Sequence, residues 1–156
     1  GMSYRQSMDT FIEMLKPVIA HAERCNVLLL VEPEPGLLIE RFEQYEELAA
    51  AIDSPFLGLN FDVGHAYCVS QEPSEWITRM SKDTRHYHLE DIAATRVHEH
   101  LVPGRGAIDF AATLQAINAT GYKGHLAVEL YPYIDDPDAA GREAKTYLES
   151  IAAKLS

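Results

Sequence analysis

No apolar run in this chain approaches the roughly 18 residues that a membrane-spanning helix needs. The opening residues, "GMSYRQSMDT", lack a basic segment followed by an apolar stretch, so no signal peptide is expected, and Gly1 ahead of Met2 reads as a tag remnant. There are only two cysteines, Cys25 and Cys68, far apart and at no zinc or redox spacing. Two free thiols in a reducing cytoplasm are the expectation. Basic residues are few: 13 Lys and Arg against 24 Asp and Glu, a formal net charge of −11. They are scattered and form no stripe, which argues against nucleic acid and against an anionic membrane surface as partners.

What is present is a regular alternation. The stretch 7–25, "SMDTFIEMLKPVIAHAERC", carries Met8, Phe11, Ile12, Leu15, Ile19 and Ala22 at helical spacing, with Pro17 predicting a kink. A strand follows at Val27–Val31, then a helix in "LIERFEQYEELAAAI", a strand in "PFLGLNF" and a short helix in "PSEWITRMS". "RHYHLED" reads as a third strand and leads into a long loop, Ile92 to Ile108. Asp109 caps the helix "FAATLQAINAT", Gly121 ends it, "GHLAVEL" is a fourth strand, and Asp136 with Pro137 opens the last helix. One helix followed by four βα units predicts an α/β domain over 1–156 with a parallel sheet.

Each strand runs into a group that can bind a cation: Glu32, Asp62 (with His65 just beyond), His88 and Glu129. In parallel α/β proteins all the carboxyl ends of the strands open on one face, where functional groups collect. Two Glu, one Asp and one His on that face form a hard-oxygen and imidazole set suited to Mn²⁺, Mg²⁺, Co²⁺ or Zn²⁺. Any one such acid is more often a loop residue or helix cap. Four in corresponding places, with mutual repulsion to relieve, point to a divalent metal. Glu34, past Pro33, is the weaker rival to Glu32. His86 shares a side of its strand with His88 and reads as packed one layer deeper. Trp76 reads as packing and Arg96 as a surface residue; Tyr131 and Tyr133 follow Glu129 closely enough to border a pocket.

The segments "LLLVEPEP", "GLNFDVGHAY", "HYHLED", "PGRGAIDF" and "GYKGHLAVEL" resemble the xylose-isomerase-like TIM-barrel superfamily, which includes sugar and sugar-phosphate isomerases and epimerases, inosose dehydratases and family 2 AP endonucleases. The resemblance covers the whole chain but only the C-terminal half of the family's barrel, so it implies a (βα)4 half of a TIM (β/α)8 barrel. It implies that Glu32, Asp62, His88 and Glu129 are the metal ligands and that His65 touches substrate or holds a further metal. His98 and His100 alternate in "RVHEHLVPGRG" and fall where the endonucleases hold an extra zinc; many epimerases have a substrate-contacting arginine at the place of His100. His65, His98 and His100 thus form a second metal site or a substrate site, and imidazoles of ordinary pKa predict loss of a metal there below about pH 6.

The activity implied is a metal-dependent sugar or sugar-phosphate isomerase or epimerase acting through an enediolate, with Glu32 and Glu129 as the catalytic proton carriers and a small carbohydrate as substrate. A metal-assisted phosphodiesterase and a non-catalytic metal- or metabolite-binding half barrel are the alternatives. A half barrel leaves two sheet edges and an inner face to cover. Either this is a piece of a longer protein, or two copies pair as a homodimer that closes the barrel.

Overall fold

The structure, a computed structural model, describes residues 1–155. Helix α1, Tyr4–Cys25, is amphipathic as expected and buries Met8, Ile12, Leu15, Ile19 and Ala22. It begins at a capping box, Ser3 with Gln6, and ends at Asn26 in the left-handed conformation, where Asn is tolerated. Pro17 lies inside the helix without ending it. Pro17 and Glu13 are both on the exposed side, so water can satisfy the Glu13 carbonyl that a proline four residues on leaves without its helical partner.

The remaining elements are β1 (Leu29–Val31), α2 (Phe42–Ile52), β2 (Leu57–Asp62), α3 (Val63–Cys68), α4 (Pro73–Met80), β3 (Thr84–Leu89), α5 (Phe110–Ala119), β4 (Leu126–Val128) and α6 (Pro137–Ala152). Several boundaries depart from the sequence reading: α2 starts at Phe42 rather than Leu38, and β4 spans only Leu126–Val128 of "GHLAVEL". Strand β1 starts at Leu29 rather than Val27, because its only partner first pairs there, Leu29 with Leu57, and Val27 and Leu28 stay exposed. Helix α3 was not anticipated. It starts because the Asp62 side chain accepts a hydrogen bond from the His65 amide and caps a helix at the end of β2.

All four strands are parallel in the order β1-β2-β3-β4. This is the (βα)4 arc of half a (β/α)8 barrel. Residues Leu57, Leu59 and Phe61 of β2 pack on the helix layer with Phe42, Tyr45, Ile77 and Tyr87, and Phe61 stacks on Phe42 with ring centroids 4.4 Å apart. The intervening residues Asn60 and Asp62 face the other side of the sheet, as the two-residue period of a strand requires. Central strand β2 is buried along its whole length. The edge strands are not: β1 is partly exposed throughout, and Leu126 and Val128 of β4 are 39% and 37% exposed.

The long connection after β3 is organised by one carboxylate. Buried Asp91 accepts backbone N–H bonds from Ile92 (2.9 Å) and Ile108 (3.1 Å) on Oδ1, and from Gly104 (2.9 Å) and Gly106 (2.8 Å) on Oδ2. Its own backbone forms a two-bond antiparallel bridge with Leu101. Gly104 has φ +96°, and a Cβ on Gly106 would strike the Asp91 carboxylate, so both glycines are required at these positions. One side chain thereby ties down a segment with no regular secondary structure of its own. Asp91→Asn would set an N–H₂ donor against backbone donors and should cost roughly 2–4 kcal/mol of unfolding free energy in urea titration. A loss under about 0.5 kcal/mol would show that the loop does not depend on this carboxylate.

Candidate metal centre

Strand register brings the strand-end groups together. Asp62 pairs with His88 and Asn60 with His86 across β2 and β3. The Glu129 amide donates to the Leu89 carbonyl, which sets Glu129 beside the end of β3. His88 Nδ1 lies 2.9 Å from Glu32 Oε1, 3.2 Å from Glu129 Oε2 and 4.0 Å from Asp62 Oδ2. One ligand atom from each of Glu32, Asp62, His88 and Glu129 lies within 4.8 Å of all the others. All four residues expected from the sequence therefore converge on one point.

The electrostatics of this point are unbalanced among the side chains alone. Two carboxylates within 4.8 Å of each other repel by at least roughly 3.5 kcal/mol at an effective dielectric of about 20. Burial, followed by the charges of Glu32 and Glu129, pushes the Asp62 carboxyl up to about 7, against the bonds it accepts. Burial also works to raise Glu32, but the hydrogen bond and charge of His88 outweigh it and leave that carboxyl below its usual range. The hydrogen bond to Glu32 raises His88, against the effect of its burial. Asp62 Oδ1 accepts from the His65 amide at 2.7 Å, and the buried Glu90 carboxyl lies close enough to share a proton with the Asp62 carboxylate. A buried carboxylate facing three further donors fits a divalent cation, and Asp62 is placed to act as a ligand while it caps α3.

Sequence reasoning missed Asn60. Its Nδ2 lies 3.3 Å from His88 Nδ1, under the cluster, and its Oδ1 is buried and unpartnered. The signal was an asparagine inside the apolar strand "LGLNF". Buried Glu90 also went unassigned. Its signal was an acid directly after the third strand, between His88 and Asp91.

The second group also assembles. His65, His98 and His100 each offer a nitrogen within 4.8 Å of the other two, and the His98 and His100 Nε2 atoms are 2.9 Å apart. His65 Nδ1 sits 3.0 Å from the Pro33 carbonyl and His100 Nδ1 3.1 Å from the Glu129 carbonyl. Each Nδ1 therefore donates, and each Nε2 keeps its lone pair, the arrangement usual for metal-ligating histidines. Burial lowers His65 to about 4 and lowers His100 as well. These two rings stay neutral to lower pH than an ordinary imidazole.

Glu34 belongs to this second group. Its carboxylate is 3.8 Å from both His65 Nε2 and His98 Nδ1, while Glu32 reaches His88. The prolines of "EPEP" send the two acids to neighbouring clusters. His86 packs edge-on against His88 with ring centroids 5.2 Å apart. Trp76 stacks on Phe42, and Arg96 lies over Tyr67 while donating to the Tyr67 carbonyl. Tyr131 borders His100 at 4.7 Å between rings; Tyr133 turns away and accepts the Val102 amide.

The sequence model of the family described as "Xylose isomerase-like TIM barrel" matches residues 1–151. The chain belongs to this family. It is 28% identical over 155 residues to an uncharacterised protein of Methanocaldococcus jannaschii, covering 96% of this chain and 52% of that one. It is 28% identical over 161 residues to an inosose dehydratase of Geobacillus thermodenitrificans, covering 92% of this chain and 54% of the enzyme. Among solved structures, a D-tagatose 3-epimerase-like protein superposes with TM-score 0.80 at 28% identity over 96% of this chain and 57% of its own. The IOLI protein with a bound zinc atom superposes with TM-score 0.83 at 22% identity, covering 100% of this chain and 60% of its own, a likeness of fold. The chain spans about half the length of the curated relatives it matches. Among the described residues no helix is long and apolar enough to cross a membrane, and Cys25 and Cys68 are free.

Protons would compete with a metal at this centre. His88 is raised by its hydrogen bond to Glu32 and Asp62 is raised to about 7 by burial, so each takes up a proton at higher pH than its free counterpart. Affinity for Mn²⁺ or Zn²⁺ should be full above about pH 8 and fall progressively as pH drops through about 7. Asp62→Ala should abolish binding there at neutral pH. Calorimetric titration across this range checks both, and an affinity unchanged between about pH 8 and 5.5 would be incompatible with these ligands.

Proposed function

We propose that this chain is the metal-binding half of a sugar or sugar-phosphate isomerase or epimerase that works by proton transfer. The observation that carries the reading is the placing of Glu32 and Glu129 both within reach of His88 Nδ1, at 2.9 and 3.2 Å, with both carboxylates only partly buried. A centre built only to hold an ion has no need of two reachable acids. Relatives named as an inosose dehydratase and an inosose isomerase, and a structure named as D-tagatose 3-epimerase-like, support a small polyol or ketose as substrate. The zinc of the IOLI protein supports a divalent cation held by Glu32, Asp62, His88 and Glu129, with Mn²⁺, Co²⁺, Zn²⁺ and Mg²⁺ all compatible with the donors.

A divalent cation there would polarise a substrate carbonyl and stabilise the negative charge that develops when a neighbouring C–H is broken. The protein groups move the proton. Glu32, kept ionised by His88, is the base that removes it from carbon. Glu129, on the other flank, returns it to the enediolate. His65 and His100, fixed by their bonds to backbone carbonyls, present Nε2 atoms to substrate hydroxyls, and His98 and Glu34 complete that wall. Asp62, with its capping bond to α3, holds its position and exchanges no proton with substrate.

The metal-loaded chain should release label from ketoses tritiated at C2 or C3. Glu32→Gln or Glu129→Gln should slow release by about 10²-fold or more. Retention of label in every ketose tried, by protein that binds metal stoichiometrically, would leave a binding domain and sink the proton-transfer reading.

We also propose that a second copy closes the half barrel. The unpaired outer edges of β1 and β4, with Leu126 and Val128 exposed, would pair edge to edge about a twofold axis, and the inner face would be filled. Light scattering at micromolar concentration should give twice the chain mass. A stable monomer that binds no apolar dye would exclude this closure.

A further inference from the structure

Glu34 stands between two imidazoles and is hydrogen-bonded to neither. Its Oε2 lies 3.8 Å from His65 Nε2 and its Oε1 3.8 Å from His98 Nδ1, both beyond hydrogen-bond reach. The placing of hydrogens explains the gaps. His65 Nδ1 donates to the Pro33 carbonyl, so its Nε2 is an acceptor. His100 Nδ1 donates to the Glu129 carbonyl, so across the 2.9 Å contact between the two Nε2 atoms the donor is His98. That leaves Nδ1 of the neutral His98 ring an acceptor too. Two carboxylate oxygens and two imidazole nitrogens therefore face one another with no hydrogen among them. Cations are equally scarce around them. The loops at the carboxyl end of the sheet, residues 32–41, 90–109 and 129–136, contain three arginines and no lysine. Arg41 is committed to the Val69 carbonyl (2.7 Å), Arg96 to the Tyr67 carbonyl and Arg105 to both oxygens of Glu143 (2.7 and 2.6 Å). Helix N-termini, the other common seat of a phosphate, are taken on this face as well. Asp62, Asp109 and Asp136 cap α3, α5 and α6, and Gln71 Oε1 accepts the first amide of α2.

We propose that Glu34, with His65 and His98, is the specificity-determining corner of the site: it takes adjacent hydroxyl groups of an uncharged ketose or polyol and turns away phosphorylated sugars. The inference rests on the reading of the site as one that takes a sugar. A hydroxyl fits each gap, because hydrogen bonds of about 2.8 Å let one oxygen sit between two acceptors at this separation and donate to either. A phosphate ester brings further acceptors and negative charge to a corner that already has both, and an unmatched group of this kind is how a site rejects a close relative of its substrate. A divalent cation at the neighbouring centre offsets the carboxylates that would bind it. Glu34 lies outside that ligand set, so its charge still faces the substrate.

The test uses the full chain loaded with Mn²⁺ at about pH 8, where the metal should be held most tightly. Binding of D-tagatose, D-fructose and their 6-phosphates is measured by calorimetry in wild type, Glu34→Gln and Glu34→Lys. Wild type should bind a free ketose at least about 10-fold more tightly than its phosphate ester. Glu34→Gln keeps the shape but adds an N–H₂ donor; it should weaken the free ketose by about 10-fold or more and narrow the ratio. Glu34→Lys should reverse the preference. Damage to the fold alone would lower both affinities and leave their ratio unmoved. Wild type that binds the phosphate esters as well as the free ketoses, or binds no free ketose, would overturn the inference, and so would a ratio unchanged in both variants. A second Mn²⁺ per chain that is lost in Glu34→Gln would mean that the corner holds a cation, and would also overturn it. Preference that depends on Glu34 without release of label from tritiated ketose would leave the inference standing and sink the proton-transfer reading. Release of label from free and phosphorylated ketoses alike would do the reverse.

Discussion

Asp62 is the residue on which the rest of the site depends. Its carboxylate does two jobs that pull in the same direction. Oδ1 caps α3 through the His65 amide, and the short helix that results carries His65 into the imidazole cluster. Oδ2 lies buried 4.0 Å from His88 Nδ1, in a carboxylate that faces Glu32, Glu129 and the buried carboxyl of Glu90. Burying an ionised carboxylate is costly unless it is paired, and the effect is visible as a carboxyl pushed up to about 7. Strand end, helix start and ligand geometry are fixed by one side chain, so the position cannot change for one purpose without losing the others.

The surrounding frame is built to hold these charges still. Parallel pairing of β2 with β3 sets Asp62 beside His88, and the aromatic and aliphatic contacts of Phe61, Phe42 and Tyr87 anchor the opposite face of the same strands. Asp91 orders the connection that delivers His98 and His100 by binding four backbone amides. His100 is then pinned to the Glu129 carbonyl. The second cluster therefore depends on a carboxylate that has no part in binding anything, and a loop without regular structure gains the positional precision of a strand end.

The half-barrel architecture explains where this frame is unfinished. Central strand β2 is buried along its whole length, but β1 and β4 each have a free edge and partly exposed side chains. Functional groups are concentrated at the carboxyl end of the sheet and on its inner side, which a completed barrel would enclose. Closure and a low-dielectric site are coupled for that reason: whatever covers the inner face also removes water from around Glu32 and Glu129 and strengthens every charge interaction between them.

The sequence by itself determined the order of the strands and of every helix but α3, because alternation of apolar strands and amphipathic helices is a local pattern. It also determined the acids and histidine at the strand ends, because a charge directly after an apolar run stands out. Other features were settled only by tertiary structure. Which of Glu32 and Glu34 meets His88 depends on the path through two prolines and on contacts with β3. Helix α3 depends on a cap whose residue reads equally well as a ligand. Asp91 reads as one more acid until the loop folds around it, since its partners are amides up to 17 residues away. Glu90 lies next to His88 and Asp91 in sequence, yet only its burial against Asp62, in space left by Gly64, separates it from the other acids of an acidic chain. Burial and register are properties of pairs of distant segments, and no single stretch of residues encodes them.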